Sequence, residues 1–194
     1  MIKTLKILFI LVFFVGNIKS TEYEITVLAT NIANFKGIGE WSFSALLESE
    51  NESIIFDTGF DENTVLHNAD LLGKDLSKVE KVILSHFHGD HTGGLIKLRK
   101  TFMKENPDAF SEVYVAEGFF EQRYDENGNL RGFIGGFDDV KRFIQETKKL
   151  GINFNVIDKP FEIANNLMLT GPVERIFEKV VVSSWTFSIQ MLLR

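Results

Sequence analysis

The sequence contains no cysteine. That excludes disulfides, thiolate nucleophiles and cysteine-ligated metal together, and it leaves the compartment open. It also lacks a basic stripe. Its formal net charge is −6, and phosphate neutralisation supplies most nucleic-acid affinity, so no nucleic-acid partner is expected. Long hydrophobic runs are absent except at the very start, and there is no internal repeat, low-complexity segment or linker. What remains is globular in character: 44% hydrophobic and 25% charged residues over 194, with 19 Phe to fill a core. One domain suits this length.

Residues 1–20 read MIKTLKILFILVFFVGNIKS: two lysines, an unbroken apolar run from Ile7 to Val15, and a polar stretch ending in Ser20. A basic start, a short apolar centre and a small residue before the cut make a secretory signal layout. A spanning helix needs about 20 apolar residues, and this run is shorter. The expectation is a signal peptide over 1–20, cleaved after Ser20, and a secreted or periplasmic domain over 21–194 with no membrane contact after cleavage. Cleavage removes Lys3, Lys6 and Lys19 and leaves a net charge of −9. An uncleaved anchor or a buried strand are the other readings of the same run; a lipoprotein anchor is excluded for want of a cysteine.

Beyond Thr21, β-rich runs alternate with helical ones. Tyr23–Ile32, Trp41–Glu48, Ser53–Phe56, Lys81–Leu84, Glu112–Ala116, Asn153–Ile157 and Asn166–Thr170 read as strands. Glu62–Leu72 before Gly73, Leu95–Glu105 before Asn106-Pro107, and Asp138–Leu150 before Gly151 read as helices. Asn127-Gly128 inside Tyr124–Phe133 is the best hairpin signal in the chain. The alternation points to the α/β class. The early strands come in hairpin-like pairs, so a mixed sheet with helices packed outside fits better than a purely parallel one.

The chemistry is concentrated in Leu84–Gly94, LSHFHGDHTGG, which holds three of the four histidines. His86 and His88, two apart on extended backbone, project to one side, so two imidazoles can meet one cation. Gly89 lets the chain turn and present Asp90 and His91. Gly93 and Gly94 let the next helix begin close to the site. Neutral imidazoles with a carboxylate favour zinc, with iron or manganese as alternatives. The plainer readings are a histidine-rich surface loop, or a single core histidine held by Asp90.

His86-x-His88-x-Asp90-His91 resembles the signature of the metallo-β-lactamase superfamily, and Ile54–Gly59 (IIFDTG) resembles that superfamily's early motif, a strand ending in Asp57. Within it, VLHNADLL (Val65–Leu72), LSHFHGDHTGGL (Leu84–Leu95) and LTGPVER (Leu169–Arg175) resemble a subgroup that includes dihydropterin-type phosphate synthases. The resemblance implies an αββα sandwich, mainly its N-terminal half, with one or two metals at the sheet edge. It implies His86 and His88 in a first metal site, and Asp90 and His91 in a second. Asp57 becomes the residue that orients the histidine loop, or else a plain turn former. Asp90 takes a catalytic role, holding a hydroxide made available when the metal lowers the pKa of water to about 7. The substrate implied is a small molecule with an ester, amide, lactone or phosphate group.

The family completes its sites with further histidines and a bridging Asp downstream. Here the one remaining histidine is His67, upstream on an expected helix, and it reads as a surface or core residue. The apolar tail KVVVSSWTFSIQMLLR after Glu178 does not resemble the family's continuation. The expectation is a truncated or frame-shifted first half, with a terminal strand over Val180–Leu193 as the plainer reading. Three functions follow: a metal-dependent hydrolase, a non-catalytic remnant with a partial metal site, and a dihydropterin-type synthase. An uncovered apolar sheet face would favour self-association. Arg175 could meet an anionic substrate group or be a solvated loop residue. The glycine-rich segment Tyr124–Gly136 reads as a flap or a plain hairpin.

Overall fold

The computed structural model describes residues 22–121, 123–131, 137, 139–173 and 189–193. The expected signal peptide, Arg175, the glycines at 132, 135 and 136 and residues 180–188 of the expected terminal strand lie outside these.

The chain runs β1 (Glu24–Ala29), β2 (Ser44–Glu48), β3 (Ser53–Phe56), α1 (Thr64–Leu71), β4 (Lys81–Ile83), α2 (Gly89–Thr92), α3 (Leu95–Phe102), β5 (Glu112–Ala116), β6 (Arg123–Tyr124), β7 (Leu130–Arg131), α4 (Val140–Lys149), β8 (Asn153–Ile157), β9 (Phe161–Ala164), β10 (Leu167–Pro172) and β11 (Ile189–Leu193). Six strands form one mixed sheet in the order β1-β2-β3-β4-β5-β8. The first three pair antiparallel, and β3, β4, β5 and β8 run parallel. This is the mixed sheet expected from hairpin-like pairs followed by strand–helix alternation. β9, β10 and β11 form a separate antiparallel sheet, and β6 and β7 a small hairpin around Gly128, whose φ is +77°.

The central strands are apolar on consecutive positions because both faces are covered. Ile55, Val82, Val113 and Val115 face a helical layer containing Val65, Ala69, Leu95, Leu98 and Phe143. Their neighbours Ile54, Ile83 and Ala116 face the second sheet, where Ile163, Ala164, Leu167 and Leu169 pack. Helices on one face and a sheet on the other make three layers of an αββα arrangement among the described residues.

Arg99 ties the helical layer together. It is buried, and its bonds go to backbone carbonyls. Nε donates to the Leu150 carbonyl at 2.9 Å and Nη1 to the Pro107 and Ala109 carbonyls at 2.7 and 2.5 Å. One guanidinium thereby joins α3, the C-terminal end of α4 and the loop entering β5. Burial depresses its pKa.

Several elements are shorter than the sequence reading, β1 ending at Ala29 rather than Ile32 and α3 at Phe102 rather than Glu105, and two further differences stand out. Strand β2 begins at Ser44 rather than Trp41, since Trp41 stands 80% exposed in the preceding loop. Strand β9 was not anticipated: FEIA is only four residues, and its partner β10 reaches it through a turn at Asn166, whose φ is +62°. Among the described residues no helix is long and apolar enough to cross a membrane.

Candidate metal centre

Parallel strands β3 and β4 end side by side, and the chain leaving each supplies the polar groups. This is the carboxyl edge of the sheet, where open α/β sheets gather their ligands. After Phe56 the backbone turns through Asp57 at φ +57° and Gly59 at φ +74°. After Ile83 it passes through Leu84 and Ser85 into the histidines.

Asp57 is the pivot. It is 1% exposed. Its Oδ1 accepts the Ser85 backbone N–H at 2.7 Å, and its Oδ2 accepts the Ser85 hydroxyl at 2.7 Å. Oδ2 also lies 2.7 Å from His91 Nδ1. A carboxylate only accepts, so His91 Nδ1 carries the proton and its Nε2 presents a lone pair. Ser85 has spent its one proton on Asp57, so at 2.9 Å from His86 Nδ1 its oxygen accepts from that nitrogen. His86 Nε2 is therefore also a lone-pair site. Asp57 fixes the tautomer of His91 directly and that of His86 through Ser85. Burial raises the Asp57 pKa, and the bonds from His91 and Ser85 only partly offset it. For His91, burial works downward, but the Asp57 bond and the charges of Asp57 and Asp90 outweigh it and raise its pKa.

The backbone of the histidine loop is stitched to the loop after β3. Thr58 N–H donates to the His91 carbonyl at 2.7 Å, Gly93 N–H to the Gly59 carbonyl at 2.9 Å, and Phe43 N–H to the Asp90 carbonyl at 3.3 Å. This approach needs glycine. A Cβ at Gly93 would sit 2.0 Å from the Phe60 oxygen, and one at Gly94 2.3 Å from the Thr58 oxygen. The one-turn helix α2 then raises Asp90 and His91 toward His86.

Ligand atoms of His86, Asp90 and His91 lie within 4.8 Å of one another. His88 lies against His86 rather than inside that triad, with Nδ1 3.0 Å from His86 Nε2. Asp90 Oδ2 and His91 Nε2 are 3.5 Å apart. Two atoms held tetrahedrally at zinc distances stand about 3.3 Å apart, so both pairs have the spacing of ligands sharing a cation. The donor chemistry, imidazole lone pairs beside a carboxylate, fits the same group. His67 is engaged elsewhere: its Nε2 donates to the Lys36 carbonyl at 2.9 Å and helps pin the loop before Glu40.

Four residues around the site escaped the sequence reading. Ser85 had a usable signal, since a hydroxyl precedes His86 directly. Glu40 had none. Its Oε1 accepts from Phe60 N–H at 2.7 Å and Ser42 Oγ at 2.6 Å, and its Oε2 from Asp61 N–H at 3.0 Å and Thr64 Oγ1 at 2.9 Å. Trp41 and Phe60, which flank this carboxylate, line with His88 and Asp90 an open cavity of about 400 Å³.

Comparison with known proteins gives the same direction. The family model described as the metallo-beta-lactamase superfamily matches residues 42–151, more than half of the chain. An uncharacterized protein of Methanocaldococcus jannaschii is 28% identical over 154 residues, covering 79% of this chain and 55% of the relative. The 7,8-dihydropterin-6-methyl-4-(beta-D-ribofuranosyl)-aminobenzene-5'-phosphate synthase of the same organism is 29% identical over 168 residues, covering 80% and 52%. A solved metal-dependent hydrolase of the beta-lactamase superfamily superposes with a TM-score of 0.60 at 25% identity, over 89% of this chain and 62% of that one. The chain thus spans about half the length of the curated relatives it matches. The motif pair at Asp57 and His86–His91, the layered fold and the matching family model agree: the chain belongs to the metallo-beta-lactamase superfamily.

Proposed function

We propose that this chain carries the principal ligand loop of a zinc-dependent hydrolase acting on a small ester, amide, lactone or phosphate-type substrate. The observation that carries this reading is the tautomer-setting network on Asp57, which turns His86 Nε2 and His91 Nε2 into lone-pair donors beside Asp90. His86 and His88 would hold one zinc ion. Asp90 and His91 would hold a second, or complete the first. Zinc, when bound, lowers the pKa of water toward neutrality and polarises the oxygen of the bond under attack. Asp90 accepts a hydrogen bond from the attacking water and aims it. Asp57 keeps His91 oriented throughout. Iron would suit the same imidazole donors, whereas manganese, which favours oxygen ligands, would suit them less well.

The relative that is a phosphate synthase supports a second reading, bond formation on a dihydropterin precursor. A third, a partial site that binds metal without catalysis, is supported by the small size of the triad among the described residues.

One experiment separates the three. Zinc-loaded protein is assayed for metal content and then offered an aryl ester, a lactone, an aryl phosphodiester and a dihydropterin precursor. One to two zinc ions per chain with hydrolysis supports the first reading. Turnover of the pterin precursor alone supports the second. Bound zinc without turnover leaves the third, and a protein with neither bound zinc nor turnover overturns all three. The leader over 1–20 is proposed as a secretion signal; N-terminal sequencing of exported protein beginning at Thr21 would bear that out.

A further inference from the structure

We propose that the mouth of this site is built to take a flat aromatic group of the substrate between Trp41 and Phe60, and that Glu40 is the positioning residue that sets both walls. The inference rests on the reading that the substrate reacts at His88 and Asp90. It extends that reading by naming what the rest of the molecule must look like.

Trp41 is 80% exposed and Phe60 60% exposed. Exposed apolar side chains scattered singly are ordinary, as Phe35 is here; exposed aromatics gathered over one cavity mark a binding surface. Both line the cavity whose other named walls are His88 and Asp90. One side of this space is aromatic and apolar, and the other is the reactive edge. A planar π-system gains more against aromatic walls than a puckered aliphatic ring of the same size.

The two walls come from different loops, one before β2 and one after β3, and a single carboxylate joins them. Glu40 directly precedes Trp41 and binds the Phe60 and Asp61 backbone N–H groups and the Thr64 hydroxyl at the start of α1. The position is tight: a Cβ on Gly59 would stand 2.8 Å from Glu40 Oε1. Asn68 holds the other end of the Trp41 loop, accepting from Ile38 N–H at 2.8 Å and donating to the Leu28 and Ile38 carbonyls at 2.7 and 2.8 Å. The aromatic walls therefore stand on an anchored frame.

The test uses two neutral probes of matched size, 2-naphthamide and its saturated analogue decahydronaphthalene-2-carboxamide, so that binding does not depend on zinc. Trp41 and Trp185 are the two tryptophans. In a Trp185→Phe background, the Trp41 indole N–H resonance in a ¹⁵N spectrum reports binding at the mouth. The expected result is saturable shifts with naphthamide at least about fivefold tighter than its saturated analogue. Phe60→Ala should bring that ratio close to one. Glu40→Gln should lower the ratio too, whereas a merely structural role would weaken both probes equally and leave it unchanged. Equal affinities, a preference that survives Phe60→Ala, or no binding of either probe would overturn the inference. Zinc titrated into the same samples tests the metal reading separately. A naphthamide preference in protein that takes up no zinc would sink that reading while leaving the aromatic mouth in place.

Discussion

Replacing Asp57 by Asn tests the network that prepares the histidines. Asn tolerates the φ of +57° at this position, so the backbone turn survives and only the charge and one acceptor are lost. The carboxylate receives three bonds, from Ser85 N–H, Ser85 Oγ and His91 Nδ1. Bonds to a charged group contribute about 1.5–3 kcal/mol each. Against that stands the desolvation of a fully buried carboxylate, several kcal/mol. These terms nearly cancel, so the metal-free protein should lose only about 1–2 kcal/mol, or roughly 2–8 °C of melting temperature at this chain length. Metal binding has no such compensation. The amide NH₂ of Asn would face the His91 Nδ1–H and the Ser85 hydroxyl, so both imidazoles lose their fixed tautomer. Loss of such a supporting partner lowers metal affinity about 10–100-fold. The assay is zinc titration against a chelating dye, paired with thermal unfolding of the metal-free protein. Zinc affinity within twofold of wild type, at a melting temperature near wild type, would refute the role given to Asp57. A large loss of stability with unchanged zinc affinity would refute the energy balance instead.

Arg99→Met should destabilise the fold by about 3–5 kcal/mol, because it leaves the Leu150, Pro107 and Ala109 carbonyls without their donor; thermal unfolding by circular dichroism should show a midpoint lower by about 10 °C. Gly93→Ala should be worse for the site than for the rest of the protein, since its Cβ falls on the Phe60 oxygen. Unfolding should show a loss of at least about 2 kcal/mol, with zinc uptake reduced in whatever remains folded. Removing bound zinc with a chelator should lower the melting temperature, by roughly 5–10 °C if zinc is present at about a hundred times its dissociation constant. His67→Ala should leave zinc affinity unchanged, because that ring is bonded to the Lys36 carbonyl.

The parts of the fold legible in the sequence were those written in local pattern. β5 and β8 occur at the positions their alternation marks, and Gly73, Gly128 and Gly151 sit at positive φ where the sequence places turns or helix ends. The histidine loop was legible because three imidazoles and a carboxylate within six residues have few other uses. What escaped depends on distant partners. Glu40 looks like any loop acid until Phe60, Asp61 and Thr64 arrive from beyond the β2–β3 hairpin. Trp41 reads as the start of a strand because aromatic residues favour strands, and only the fold shows the chain still in its loop there. The split of the ligands also needed coordinates: sequence spacing sets His86 beside His88, whereas the one-turn helix α2 brings Asp90 and His91 over His86.

X-ray absorption at the zinc edge addresses the heart of the account. Protein loaded with zinc and freed of excess by gel filtration should retain at least one ion per chain. Its first shell should contain only nitrogen and oxygen at about 2.0–2.1 Å, with imidazole scattering that weakens in His86→Ala. A chain that emerges without zinc, or holds it with no imidazole signature, would contradict the assignment of His86, His88, Asp90 and His91.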